Sequence, residues 1–407
     1  MRLAVVSPFL DRQHGTEVCI IEQIERLARN HGWYIELYAQ QVAQLNGVSA
    51  NGSAPEDSGI RWHRVSDIRG PHLLKFIWWF CANHWRRWRD LRVGVRPDLV
   101  YTPGTNCLDA DAVVVHIVFH AFYQQVREQL LLRRVPLKTW PRLIHRKLYY
   151  RLIMFLERRI YRNPRVSLIA VSKLIARQLQ SFLGRSDVVV IPNTVDTLRF
   201  NPEICRARRL ESRKHFHFAD NELVILLIGN DWKAKGLDVL LKAAVSLQDF
   251  PLRLMIVGAD DRELYRPLVQ RLGLLDKVSF ECPSADVLQF YAVADLYVGP
   301  SLQDSFNLPI LEAMACGLPV IASSQAGVSD EITDGQTGLI LHDPSDDQLL
   351  AGLIRRLLVD NHFRQRIASA AAASVRANCS WDQNTAKTRE VLEKLFLQRK
   401  SADQRSS

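Results

Sequence analysis

The sequence predicts an α/β protein built from two doubly wound domains, and three observations predict it. A chain of 407 residues exceeds what one compact core organises. Short apolar runs alternate along it with stretches of helical period, the pattern of strand–helix units around parallel sheets. One stretch, 296–323, spells out strand, polar loop, helix and second strand in full. Composition agrees: 47% of residues are hydrophobic and 24% charged, enough apolar surface for ordinary globular cores.

The first unit is RLAVVSPFL, a turn, and a helix from about residue 17 to 30, on which Ile20, Ile21, Ile24 and Leu27 share a face. The apolar stretch before Asp11 is only seven residues long and lacks a small-residue cleavage site, so it reads as a strand, not a signal peptide. Gly15 and Thr16 open the helix, where backbone can approach a ligand closely or where the chain simply turns. Residues 33–39 read as the second strand, and 44–59, rich in Asn, Gly, Ser and Pro, as a surface loop. A short strand at 98–105 precedes a buried strand at 112–118 that ends near His116, with His120 just beyond. Ligands of open α/β sheets sit outside the carboxyl ends of strands. His116 is therefore the first candidate contact and His120 the reserve; a merely structural histidine is the alternative.

Strand 168–171, helix 173–182 and strand 188–191 lead to a Pro- and Asn-rich hinge near 192–203. The expected division is a first domain at 1–196, a second at 197–380, a helix at 381–400 and a disordered tail at 401–407. The second domain opens with strand 224–229, followed by a loop holding Lys233 and Lys235 and a helix from Leu237. Two lysines beside a helix start suit a diphosphate, because charge-assisted bonds to phosphate are the strong ones. Solvated lysines are the alternative. Strand–loop units at 253–261 and 277–284 follow.

In 296–323, Asn307 stands where a helix wants an N-cap, Pro309 fits a first turn, and Gly317 fits a left-handed C′ position. Such a unit aims unpaired helix N–H groups beyond the sheet's carboxyl edge, where an anion, most simply a phosphate, is welcome. Asp304 lies in the loop and Glu312 about one turn into the helix. A carboxylate at the second position can accept paired hydrogen bonds from the vicinal hydroxyls of a ribose. The plainer alternative is two acids that are solvated or complement the helix start.

The run DSFNLPILE followed by AMACGLPVIAS resembles the signature of the retaining "glycosyl transferases group 1", the glycogen-synthase-like family of GT-B fold. The family has two glutamates flanking seven residues; here Asp304 replaces the first, and Ser305 and Asn307 replace glycines. Aspartate shortens the reach by roughly 1.5 Å. Asparagine is the least costly non-glycine residue at positive φ, whereas serine has no such tolerance and should keep an ordinary φ. VSK…IPNTVD at 171–196 and Lys235–Gly236 match further family motifs; Asn230 stands where Arg is common, leaving Lys233 to supply a second charge.

The resemblance implies two Rossmann-like domains facing across a cleft and metal-independent transfer of a sugar, with retention, from a UDP- or GDP-sugar donor, with no further cofactor. It gives the diphosphate to Lys235, Lys233 and the backbone N–H groups of Phe306–Leu308, the ribose to Glu312, donor-sugar hydroxyls to Asp304 and His116, and the base to 277–284. Rival classes are a nucleotide-sugar epimerase or hydrolase of the same fold and a decayed nucleotide-sugar-binding protein. A dehydrogenase is disfavoured, because neither first turn carries GxGxxG with a following ribose acid.

Charge is uneven. Residues 1–200 hold 29 of the 53 Lys and Arg but 16 of the 43 acids, giving net +13 against −3 for the rest. Residues 133–165 carry eleven bases and one acid, Glu157, with Trp140, Tyr149, Tyr150 and Phe155 interleaved; HWRRWRDLR at 84–92 is similar. This composition suits an interfacial helix meeting anionic headgroups, with a solvated basic face as the alternative. The expected acceptor is accordingly an envelope glycan or glycolipid at the inner face of the cytoplasmic membrane. No nucleic-acid module is present, and no run is apolar enough to span a bilayer. Seven scattered cysteines without a CxxC pair argue for a reducing cytoplasm and against structural zinc.

Overall fold

A computed structural model describes residues 1–12, 15–43, 45, 59–127, 130 and 140–406, the side chains of 402–406 excepted. Most of the expected 44–59 loop and the 133–139 part of the basic segment thus lie outside the described residues. The chain divides into two units, one of Met1–Pro192 with Asp382–Ser407 and one of Asn193–Trp381.

The first unit contains strands β1 (Arg2–Val6), β2 (Phe9–Leu10), β3 (Tyr34–Ala39), β4 (Gln41–Val42), β5 (Ile60–Arg64), β6 (Leu99–Pro103), β7 (Ala112–Val115), β8 (Ser167–Ala170) and β9 (Val189–Val190). Its described helices are α1 (Gly15–His31), α2 (His72–Arg92), α3 (Phe119–Val126), α4 (Trp140–Tyr161) and α5 (Lys173–Leu183). Seven strands form one parallel sheet in the order β5-β3-β1-β6-β7-β8-β9. The strands read as near-continuous apolar runs because helices cover both faces. Ser172 caps α5 by accepting from the Ile175 N–H, and Gly184, at φ 71°, ends it. The strand expected through residue 118 stops at Val115, since the chain must turn at His116 to start α3.

The second unit contains α6 (Pro202–His215), β10 (Leu223–Ile228), α7 (Leu237–Val245), β11 (Leu252–Val257), α8 (Arg266–Arg271), β12 (Val278–Glu281), α9 (Leu288–Val293), β13 (Leu296–Gly299), α10 (Leu308–Ala315), β14 (Val320–Ser323), β15 (Leu339–Leu341), α11 (Asp347–Val359) and α12 (Asn361–Asn378). Its parallel sheet has the order β12-β11-β10-β13-β14-β15. In both sheets the order reverses beside the first strand, between β1 and β6 and between β10 and β13. Loops leaving such a pair diverge and open a crevice, the usual ligand position in doubly wound sheets.

The last helix, α13 (Trp381–Ser406), packs along the first unit from Asp382: Gln23 Nε2 donates to Asn384 Oδ1 at 2.8 Å, and Leu392 is fully buried. It runs on to Ser406, into the tail expected to be disordered. No Gly or Pro follows Lys400 to stop it, and the Ser401 hydroxyl donates to the Leu397 carbonyl at 2.9 Å. None of the seven cysteines is in a disulfide. Among the described residues no helix is long and apolar enough to cross a membrane.

Candidate functional site

The reversal point of the second sheet is built from the loops after β10 and β13, tied together where the Leu302 N–H donates to the Ala234 carbonyl at 2.8 Å. The first loop is rigid. Asp260 accepts from the Asp231 N–H, Asp231 accepts from the Ala234 N–H, and Asn230 Oδ1 accepts from the Ala259 N–H at 2.9 Å. Asn230, in the position where arginine is common, therefore ties two loops together.

Gly236 ends the loop at φ +79° and starts α7. A Cβ there would lie 2.1 Å from the Pro300 carbonyl oxygen, so both conformation and space demand glycine. Gly229 makes room for the stem of Lys235, whose Cε would lie 2.6 Å from an added Cβ.

Lys235 thereby reaches the second loop, where its Nζ donates to Asp304 Oδ2 at 2.5 Å. The other oxygen of Asp304 accepts from the Phe306 and Asn307 N–H groups at 3.2 and 3.0 Å. Asp304 is itself fixed by its backbone, donating to the Gln325 carbonyl and accepting from the Gly327 N–H, both at 3.0 Å. The N–H groups expected to hold a phosphate are thus filled by a carboxylate of the same loop. Three donors converge on one carboxylate at a helix start, which is the electrostatics of a phosphate seat.

Asn307 occupies the N-cap position of α10 at φ 67°, ψ 65°, but its side chain does not cap the helix. Its Nδ2 donates instead to the buried Ser301 hydroxyl at 3.0 Å. The correction has a physical cause: at positive φ the side chain turns away from the first helical N–H groups and back along the loop. Ser305 keeps a negative φ, and Gly317 takes φ +75° just beyond the helix. Ile310, Leu311, Ala313, Met314 and Ala315 are all buried, which fixes the helix and so aims Glu312.

Glu312 is half-buried. Its Oε2 accepts from the Tyr291 hydroxyl at 2.5 Å. Burial pushes the carboxyl above its usual range, opposed by that hydroxyl and by the charge of Arg199. Tyr291 and Arg199 were missed from sequence: Tyr291 lies on α9, just before β13, and Arg199 before α6, and no periodicity points either at Glu312. Lys233 is exposed and makes no ion pair among the described residues, so the structure does not bring it to the cluster. Leu308 begins α10, one residue past Asn307.

In the first unit, Gly15 is the first residue of α1 and Thr16 the second, at the reversal point between β1 and β6. His116 follows β7; its Nε2 is buried without a partner, and desolvation lowers its pKa to about 4, so the ring is neutral near pH 7. His120 is buried, and its Nδ1 lies 2.6 Å from Glu157 Oε2. Glu157, fully buried, also accepts from the Phe119 and His120 N–H groups at 2.6 and 3.1 Å. His120 is therefore a tethered part of the α3 start.

Two family models match the chain: "Glycosyltransferase Family 4" over residues 14–199 and "Glycosyl transferases group 1" over residues 208–374. A D-inositol 3-phosphate glycosyltransferase of Thermobifida fusca is 30% identical over 233 residues, 53% of this chain and 52% of the relative. A glycosyltransferase of Methanocaldococcus jannaschii is 30% identical over 229 residues, 55% of this chain and 58% of the relative. The chain thus spans little more than half the length of these curated relatives. Among solved structures, the lipopolysaccharide glycosyltransferase WaaG superposes with TM-score 0.75 at 19% identity, covering 96% of this chain and 99% of its own. A sucrose-phosphate synthase of Thermosynechococcus elongatus superposes with TM-score 0.76 at 19% identity, covering 98% and 99%. HepE of Anabaena, solved with UDP and glucose, gives 0.70 at 19%, covering 97% and 100%. These likenesses establish a GT-B fold. The two models match the chain's two halves in turn, the first half resembling Glycosyltransferase Family 4 and the second Glycosyl transferases group 1.

Proposed function

We propose that this protein transfers a sugar from a nucleoside diphosphate sugar to an envelope glycan or lipid-linked acceptor, with retention of configuration. The observation that carries the reading is the Lys235–Asp304 cluster at the reversal point of the second sheet: an anion seat at a helix start, with Glu312 one turn deeper. A uridine diphosphate donor is favoured by the bound UDP of the HepE structure. A lipopolysaccharide-type acceptor is favoured by the names of WaaG and of WaaB, an outer-core galactosyltransferase with TM-score 0.63.

In this reading the donor's diphosphate takes the place of the Asp304 carboxylate on Lys235 and the helix N–H groups. The exchange is energetically open, because a diphosphate carries more charge and more acceptor oxygens than one carboxylate, so it can take over the three donors of Asp304 and add further contacts. Asp304 is then free to accept from donor-sugar hydroxyls. Lys233 adds a second charge at the loop, Glu312 accepts from the ribose hydroxyls, the 277–284 segment meets the base, and His116 contacts the sugar as a neutral imidazole.

As the glycosidic bond breaks, charge grows on the leaving diphosphate, and Lys235 with the α10 start stabilises it without a metal. The acceptor hydroxyl attacks from the same face and passes its proton to the leaving phosphate oxygen, which accounts for retention without a side-chain base.

A thermal-shift series with UDP, GDP and their sugars tests the donor, since a bound ligand raises the melting temperature according to its affinity and concentration. Turnover of a stabilising donor in the absence of any acceptor would favour the epimerase or hydrolase reading. Failure of every nucleoside diphosphate to stabilise the protein would remove the proposal.

A further inference from the structure

Helix α2 carries large apolar side chains on the face it turns outward as well as on the face it buries. Its fully buried residues are Trp79, Asn83, Arg87 and Asp90, with Phe76, Phe80 and Ala82 partly buried against the core beside them. Asn83 Nδ2 donates to the Asn106 carbonyl at 3.1 Å, Trp79 Nε1 to Asn106 Oδ1 at 3.0 Å, and Arg87 forks onto Asp109 at 2.6 and 2.7 Å. Asp90 takes His63 Nδ1 at 2.8 Å and Arg86 Nε at 3.1 Å.

The outer face holds a second set of large apolar groups. Leu74, Trp78, Trp85 and Trp88, with Cys81 between them, follow alternate steps of four and three and form one straight stripe flanked by Ile77 and Leu91. The exposures of the three tryptophans are 40%, 59% and 48%. Exposed bases border the stripe: Lys75, Arg89 and Arg92, with the Arg92 guanidinium 3.8 Å and the Arg89 guanidinium 5.6 Å from the rings of Trp88 and Trp85. The helix's only acid, Asp90, is buried and paired, so nothing acidic faces outward.

We infer that α2 is the surface by which this protein lies on an anionic lipid bilayer, with Trp85 and Trp88 entering the acyl boundary and Lys75, Arg89 and Arg92 meeting headgroup phosphates. Tryptophan suits this depth because it is apolar with one polar edge, and arginine stems lie along apolar surface while their heads stay at the phosphate level. A second copy of the chain fits poorly: α2 against α2 would set bases against bases with no outward acid to pair them. The α4 segment is the weaker face. Of its aromatic residues only Phe155 is well exposed, whereas Tyr150 is buried and Tyr149 packs edge-on against His72. The inference deepens the membrane-side reading of the acceptor and is independent of the donor assignment.

The test is sedimentation of the full chain with vesicles of phosphatidylcholine alone and of phosphatidylcholine mixed equally with phosphatidylglycerol. The triple variant Trp78→Ser, Trp85→Ser, Trp88→Ser and the triple variant Arg142→Glu, Arg146→Glu, Arg151→Glu on α4 are run beside it. Wild type is expected to bind the mixed vesicles, more weakly as salt rises, and the tryptophan variant to bind roughly tenfold or more weakly. Thermal shift by UDP, read on the same preparations, checks that the variants are folded and reports on the donor reading separately. Three results would overturn the inference: no wild-type binding to the mixed vesicles, undiminished binding by the tryptophan variant, or wild-type dimers by analytical ultracentrifugation that the tryptophan variant dissociates.

Discussion

Each unit of this protein sets a carboxylate on the start of a helix, and the two settings are opposites. In the first, Glu157 reaches across from α4 and is fully buried, holding two α3 N–H groups and the His120 ring. In the second, Asp304 belongs to the loop that precedes α10, stays partly exposed, and shares its charge with the amine of Lys235. A buried carboxylate whose partners are fixed cannot be exchanged for a ligand without leaving charge stranded in low dielectric. A partly exposed one on its own loop can. The same motif is a strut in one unit and, in the proposed function, a seat that a ligand can take over in the other.

The largest expected effect lies on the strut. Glu157→Gln removes the charge from three bonds and leaves a donor facing donors, so the first unit loses about 3 kcal/mol of stability, measured by urea unfolding. UDP binding should survive at temperatures where the variant is folded. An unchanged unfolding midpoint would erase the contrast between the two carboxylates.

On the seat, Lys235→Ala lowers nucleoside diphosphate affinity by about thirtyfold, the loss of roughly 2 kcal/mol from a charge-assisted contact, with little change in unfolding midpoint. Isothermal titration reads it, and an equal loss of stability would mark the lysine as structural.

Glu312 gives a smaller effect with a distinctive pH dependence. Its folded-state pKa is raised, so its ionised form disfavours the fold, and that cost grows as pH rises from the ordinary carboxyl range through the raised value. Glu312→Gln therefore melts higher than wild type at neutral pH, and the gain shrinks on acidification. The variant should also bind nucleotides more weakly. A gain that grows on acidification would reverse the assignment.

The smallest expected change has the opposite sign. Asp304→Asn weakens the internal anion, so UDP affinity rises by up to about fivefold, in line with the modest worth of a partly exposed pair, while turnover with the full donor falls.

The second unit was the more legible of the two. Its βα rhythm, Gly236, the left-handed Asn307 and Gly317 and the pairing of Asp304 with Glu312 in one loop–helix unit all reside in local sequence, because backbone conformation and helical spacing are local properties. What was not legible depends on reach. That Asp304 folds back onto Phe306 and Asn307 follows from the shape of a loop held by Gln325 and Gly327, a connection no periodicity announces. Glu157 was read as the lone acid of a basic surface segment, and its partners lie 37 and 38 residues earlier. The direction of α2 was illegible for a related reason. Composition showed bases interleaved with tryptophans at 84–92, but composition does not say which side faces the core when the buried side pairs with Asn106, Asp109 and His63.

The most direct test of the central claim is titration of UDP into wild type and into the double charge reversal Lys235→Glu with Glu312→Lys, each first shown to be folded by thermal melting. Measurable wild-type binding that the reversal abolishes is the predicted result. Undiminished affinity in the reversed protein would contradict the claim that the second unit grips a nucleoside diphosphate at the end of α10.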